Sequence, residues 1–405
     1  MKLKEKLIKL LEEDYVCNRC LGRQFAQLLS GYTNEERGEI LRTYLAMLMD
    51  SGEKIVVDKS NFHGIKFHIN KIKTKKPEKC SVCGDLFPEL KKKSKKIVKK
   101  LQEYEFNSFL IGSRPPDELL QKEQRLWERV GIEWCETIKS EINRVLGKEV
   151  EDITGKRMKR RLPDITVLYD LNTDEVKLNV RSVFIYGKYQ KLVREMPQTT
   201  WKTRIYPVSV QDIVAKPFIK QTKAEDNTLH GCGREDVDVK CLGWRPFVLE
   251  LVNPKKRKVN LEKAMKNINK SKKVNVKDLE VTNHKRVTKI KSLRPDKTYR
   301  AEIIFEENLE NLEEIEKLQG EIIKQKTPNR VLTRRADKVR KRRVKDIKYK
   351  ALTKKKLEIT VKTQAGTYIK ELIHGDEGRT QPNIADLINN KVKSIKLDVI
   401  KVHCD

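Results

Sequence analysis

Two Cys-x-x-Cys pairs, Cys17/Cys20 and Cys80/Cys83, constrain this chain more than any other feature, because they must bring together segments that lie far apart in sequence. Each pair can form a knuckle that presents two thiolates to one ion, and two knuckles close a tetrahedral four-cysteine zinc site. A filled sphere of four thiolates leaves no open coordination position. The expected zinc is therefore structural, tying the N-terminal helix to the region before residue 84. That helix is read over residues 3–13, with Leu3, Leu7, Leu10 and Leu11 on one face. Its charged, amphipathic pattern is not that of a signal peptide, so a disulfide framework is not expected of the eight cysteines. Cys232 and Cys241 read as small packing residues.

Hydrophobic periodicity divides the rest. A helix is expected at 35–49, capped by Asn34, with weakly alternating strands at 54–72. A Lys-laden helix at 89–104, a buried strand at 106–111, a long helix at 117–147 and strands at 164–169 and 176–186 suggest a compact middle unit. Beyond a break near 197–200, strands are expected at 204–210, 246–252, 297–306, 356–362 and 393–402, and helices at 258–270, 308–318 and 381–390. Strands and helices mix without a βαβ rhythm, so the fold class is α+β. The expected domains are 1–84, built around the two cysteine pairs, 85–196 and 197–405.

Charge narrows the function. Lys and Arg number 89 against 58 Asp and Glu, a net charge of +31 spread over the whole chain. Such an excess is the footprint of a protein that binds a polyanion, here nucleic acid. No run approaches the 18 apolar residues of a membrane span, so a cytoplasmic protein is expected. Two stretches read as basic loops. In 188–202, Lys188, Tyr189, Lys191 and Arg194 follow a strand, mixing phosphate-binding cations with an aromatic that could stack on unpaired bases. The other, 326–345, carries ten basic residues and one acid.

Three motifs carry chemistry. Gly233-Arg234-Glu235-Asp236 places an acid in a Gly-flanked turn ahead of an apolar strand, where a rigid scaffold presents reactive groups. Lys297-Thr298-Tyr299-Arg300-Ala301 opens a strand whose Tyr299, Ala301, Ile303 and Phe305 share a face. Gly366-Thr367-Tyr368-Ile369-Lys370 follows. Asp238, two residues beyond Asp236, is a competing carboxylate.

In this order the three motifs resemble those of pseudouridine synthases. The stretch from Pro163 to Arg194 resembles the end of a THUMP RNA-binding domain. With Ile111-Gly112-Ser113-Arg114-Pro115-Pro116, Arg334-Arg335-Ala336-Asp337 and the four-cysteine pattern, the chain is similar to the archaeal and eukaryotic T-arm family, family ten of these enzymes. The resemblance implies a mixed or antiparallel catalytic sheet, Asp236 as the catalytic acid, Lys370 as its basic partner, and Tyr299 stacked on the flipped-out uracil. It implies a thumb loop at 326–345 carrying Arg334 and Arg335, with Arg234 and Tyr368 on the RNA and Ile384 and Leu387 walling the pocket. It further implies a tRNA T-arm substrate, modified in archaeal members at positions 54 and 55, with no catalytic cofactor and a monomeric enzyme. The family often has Arg where Lys240 stands, and Leu242-Gly243-Trp244-Arg245-Pro246 reads as a shortened turn.

Overall fold

The computed structural model describes residues 2–201, 203, 205–333 and 335–404. They form two compact units, Met1–Arg181 and Ser182–Asp405.

In the first unit, helices Leu3–Leu11, Asn34–Asp50, Leu86–Leu101, Asp117–Val130 and Ile138–Thr154 accompany four strands. These are β1 (Ser108–Arg114), β2 (Arg157–Met158), β3 (Ile165–Asp170) and β4 (Glu175–Val180), in the sheet order β2-β1-β3-β4. Thr33, not Asn34, caps the second helix, in a reciprocal box with Glu36. The long helix expected at 117–147 breaks at Gly131, whose positive φ of 76° ends the first piece. Residues 54–72 hold a short 3-10 turn, Lys59–Phe62, instead of strands. One apolar core runs from Leu7 to Val180, so the expected border at 84 is not a border in packing. Two buried cations stitch it. Arg23 pairs with Glu123, and Arg42 Nε donates to Asn18 Oδ1 at 2.8 Å.

The second unit is built on ten strands: β5 (Val183–Lys191), β6 (Asp226–Gly231), β7 (Lys240–Val252), β8 (Val274–Thr282), β9 (Lys297–Phe305), β10 (Ile322–Gln325), β11 (Arg340–Thr353), β12 (Lys356–Thr363), β13 (Thr380–Gln381) and β14 (Val392–Val402). The order is β13-β10-β11-β12-β9-β14-β7-β5-β8, with β6 also on β7. Among the described residues of this sheet, every pairing is antiparallel except the short contact of β14 with β7, at Asp398–Lys240 and Val399–Cys241. Gly243 permits that join, because a Cβ there would meet the Lys401 backbone at 2.7 Å. On either side of the join lies a separate core. One contains Ala301, Ile303, Phe305, Ile359 and Ile384; the other contains Val214, Phe218, Leu249 and Ile268.

β5 is the main departure from expectation. Residues 183–191 do not close the middle unit; they pair with β7 and β8 inside the second sheet. The apolar alternation there is real but serves the core of the second unit. Residues 242–246 form part of β7 and no turn, and the helix Val210–Thr222 begins where a strand was expected. Among the described residues, no helix is long and apolar enough to cross a membrane.

Candidate active site

The acid-bearing turn links the end of β6 at Gly231 to the start of β7 at Lys240, beside the join of the two cores. Its shape follows from Gly233, which adopts φ 77°, a left-handed conformation that costs glycine little. Across the turn the carboxyl side chains divide. Glu235 points inward and is 6% exposed, whereas the side chains of Asp236 and Asp238 are 43% and 47% exposed.

Two cations meet the outward carboxylates. Arg330 Nη1 lies 2.9 Å from Asp236 Oδ2. Lys370 Nζ lies 3.9 Å from the same oxygen but donates to Asp238 Oδ2 at 2.6 Å. The expected Asp236–Lys370 pair is thus present as a longer contact. Arg330 is the nearer partner of Asp236, and Lys370 bridges both acids. Burial disfavours ionisation of Asp238, but the hydrogen bond and charge of Lys370 outweigh it and hold that carboxyl below its ordinary value.

The cations are themselves fixed. Arg330 sits in a single turn of 3-10 helix, Asn329–Val331, and its Nε donates to Glu371 Oε1 at 2.7 Å. Glu371 is 1% exposed and follows Lys370 in the helix Ile369–His374. Buried Gln325 grips the start of that segment, donating to the Tyr368 carbonyl and accepting from its N–H, both at 2.9 Å.

Tyr299 lies in β9, opposite Val361 and Val399, and is partly buried against the core. Burial pushes its hydroxyl up to about 12, with Arg245 pulling the other way and Asp236 among the charges that raise it. Asp236 and Tyr299 therefore share one electrostatic neighbourhood. Ile384 is buried and Leu387 half-buried in the core beneath β9 to β12. Arg234 is exposed. Arg335 is exposed and donates to the Tyr368 hydroxyl at 2.9 Å. Arg334 lies outside the described residues. Of the expected loop at 326–345, residues from 340 onward are strand β11.

The 188–194 group is placed otherwise than expected. Tyr189 and Lys191 have no exposed surface, so neither can touch RNA. Arg194 Nη1 donates to the carbonyls of Asp238 and Leu397, both at 2.7 Å. Lys188 is partly exposed and ion-paired with Asp278 at 3.1 Å. In β5, alternate residues face inward, and the sequence there shows a basic-aromatic mixture whatever the direction each side chain takes.

Sequence reasoning also missed Arg330, Glu371, Glu235, Arg245 and Gln198. Arg330 was one of ten basic residues in its stretch, and nothing local singled it out. The Glu235–Arg245 pair was discoverable in part, since an Arg inside the apolar run of β7 must find a buried partner.

In the first unit, Cys17, Cys20, Cys80 and Cys83 bring their four sulfurs within 4.8 Å of one another. Cys17 Sγ and Cys83 Sγ are 3.7 Å apart. Tetrahedral geometry at a Zn–S distance of ~2.3 Å places sulfurs about 3.8 Å apart. The four cysteines could hold a metal ion, and the donor set suits zinc.

Comparison with known proteins agrees with both halves of the chain. Residues 184–403 match the family described as Pus10, C-terminal, and residues 94–170 match the Pus10 THUMP domain, archaeal. A tRNA pseudouridine synthase Pus10 from Archaeoglobus fulgidus is 42% identical, over 80% of this chain and 95% of that protein. The one from Pyrococcus furiosus is 37% identical, over 98% of this chain and 97% of its own. A solved Cbf5-Nop10-Gar1 complex aligns with a TM-score of 0.32 at 18% identity, over 53% of this chain and 48% of that one. On the strength of the two sequence relatives and the two matched domains, the chain belongs to the Pus10 family of tRNA pseudouridine synthases.

Proposed function

We propose that this enzyme isomerises uridine to pseudouridine in the T arm of tRNA, at positions 54 and 55, with Asp236 as its reactive acid. The carrying observation is the half-exposed Asp236 carboxylate, held 2.9 Å from Arg330 beside Tyr299 and Lys370, on a turn fixed from behind. The reaction breaks the C1′–N1 bond, turns the uracil and forms a C1′–C5 bond. The proton on C5 leaves and N1 gains one, so the isomerisation is redox-neutral and releases no group. A carboxylate can serve it as nucleophile or as electrostatic partner. Arg330 and Lys370 aim the Asp236 carboxylate from two sides. Tyr299 gives the flipped base a face to stack on, and Leu387 lines the apolar side of its pocket. Arg234, Arg335 and Tyr368 grip the displaced strand, with Arg334 next to Arg335 in the sequence.

Lys188 remains a candidate phosphate contact, supported by its partial exposure. The four-cysteine cluster holds structural zinc. Its support is the sulfur spacing, and elemental analysis of protein purified without chelator should give about one zinc per chain.

An unmodified tRNA transcript, incubated with wild type or Asp236→Asn and mapped by carbodiimide labelling with primer extension, tests the function. Product in the T arm with wild type alone is the expected result. Product with both proteins removes Asp236 from its role. Asp238 is the second reading, favoured by its 2.6 Å bond to Lys370. An active Asp236→Asn together with an inactive Asp238→Asn would transfer the role to it.

A further inference from the structure

Behind the reactive turn lies a set of buried side chains that the proposed reaction does not use. Lys191 has no exposed surface, yet its ammonium finds three acceptors: the carbonyls of Met196 at 2.8 Å and of Asp236 and Val237 at 3.0 Å each. Three donors meet three acceptors, which is the full capacity of a protonated lysine. Gln198 Nε2 donates to the Gly233 carbonyl at 3.0 Å, and Arg245 Nη1 to the Cys232 carbonyl at 2.9 Å. With Arg194 on the Asp238 carbonyl, five backbone oxygens between residues 232 and 238 are held from inside by side chains.

The holders are locked in turn. Glu235 lies 3.0 Å from Arg245 Nε as an ion pair, not as an aligned hydrogen bond, and accepts from the Tyr189 hydroxyl at 3.0 Å. Tyr189 accepts from Gln198 at 2.7 Å. The turn carries little regular structure of its own and uses few of its own amides to fix its carbonyls. Its conformation is set by these cations and amides. A buried cation left without partners is strongly disfavoured, so the arrangement has a narrow energy well.

We propose that Lys191 is a positioning residue for catalysis, fixing the Asp236 carboxylate through the backbone carbonyl of Asp236 itself. Gln198 acts in the same way at the other end of the turn. The inference rests on Asp236 being the reactive acid. Lys191 touches no substrate. Removing it frees the peptide units on which the carboxylate is mounted, and a displacement of about 1 Å at a reacting group can cost about a hundredfold in rate. Burial draws the ammonium below its ordinary value, with Glu235 opposing, and the three carbonyls offer it the compensation it needs.

The test is kinetics on an unmodified tRNA transcript with the full chain. Lys191→Gln keeps two N–H donors without the charge, and Lys191→Met keeps none. The expected kcat falls about tenfold for Gln and about a hundredfold for Met, with KM for tRNA within about twofold of wild type. Ile268→Ala, a core truncation in the helix Leu261–Asn269, controls for general loss of stability and should keep its kcat at temperatures well below its melting point. An unchanged kcat in a folded Lys191 variant overturns the inference. So does a raised KM at constant kcat, which would mean RNA contact, or an equal kcat loss in Ile268→Ala. If neither Lys191 variant folds, Gln198→Leu decides by the same split between kcat and KM. Asp236→Asn run in parallel separates the two failures. Its activity, if retained, sinks the assignment of the acid; if it is inactive while Lys191→Gln is normal, only the positioning role is lost.

Discussion

The cysteine cluster of the first unit and the acid-bearing turn of the second solve the same physical problem in opposite ways. Each must hold a short irregular segment, rich in groups that dislike burial, in one conformation. The cysteines concentrate the task in four identical side chains from two Cys-x-x-Cys pairs, which together could hold a metal ion. The turn spreads it over Lys191, Arg194, Gln198 and Arg245, contributed by two separate stretches of chain and drawn from three residue types. Concentration makes the first site visible in sequence and all-or-none in failure. Dispersal makes the second nearly invisible, and graded.

The sharpest way to break that contrast is to deny the four cysteines the zinc proposed for them. Structural zinc contributes on the order of 10 kcal/mol in small domains. Chelation or Cys80→Ser should abolish the cooperative melting of residues 2–181, read by hydrogen exchange in that unit. Survival of its protection without metal would show that the continuous core carries the unit unaided. Within the turn, neighbouring acids should part company. Glu235→Gln removes the partner of a fully buried guanidinium and should cost about 3–5 kcal/mol, read by chemical denaturation. Asp236→Asn, at a half-exposed position, should change stability by less than about 0.5 kcal/mol while lowering the rate by roughly 10³-fold. Equal stability losses at the two positions would erase the distinction between the inner and outer faces of the turn.

That distinction marks what sequence reading can reach. Each Cys-x-x-Cys pair, and each motif around Asp236, Tyr299 and Lys370, is made of residues close in sequence, so spacing displays it. The strands at 297–305 and 356–363 were legible because one face is apolar and alternates. Tyr189, Lys191 and Arg194 were misread for the reciprocal reason. A basic residue in a strand reads as exposed, and only the fold shows that carbonyls from a turn more than 40 residues on replace water around Lys191. Arg330 was hidden by its neighbours, since its selection depends on Glu371 and Asp236 arriving from two other segments.

Lys370→Met sharpens the comparison at the outer face. It leaves Asp236 its nearer cation, Arg330, so the rate should fall about tenfold and remain measurable. Arg330→Met should fall further, because it removes the 2.9 Å partner of Asp236 and leaves buried Glu371 without its cation. The reverse order, measured as kcat on the tRNA transcript, would make the longer Lys370 contact the decisive one.

The smallest effect concerns acid. Asp238 is held below its ordinary carboxyl value in the folded chain, because the hydrogen bond and charge of Lys370 outweigh its burial. Its unfolded value lies near 3.9, so the Asp238–Lys370 pair contributes its full stability above that point and loses it as pH falls through the lower folded value. The side chain of Asp238 is 47% exposed, and solvent screening holds the contribution below about 1 kcal/mol. Wild type and Asp238→Asn should therefore differ slightly at pH 7 and converge toward pH 3, followed by denaturant unfolding of the second unit. A gap absent at pH 7 and still absent on acidification would mean that Lys370 serves Asp236 in the folded enzyme and that its bond to Asp238 contributes nothing. The outer face would then concentrate both of its cations, Arg330 and Lys370, on Asp236.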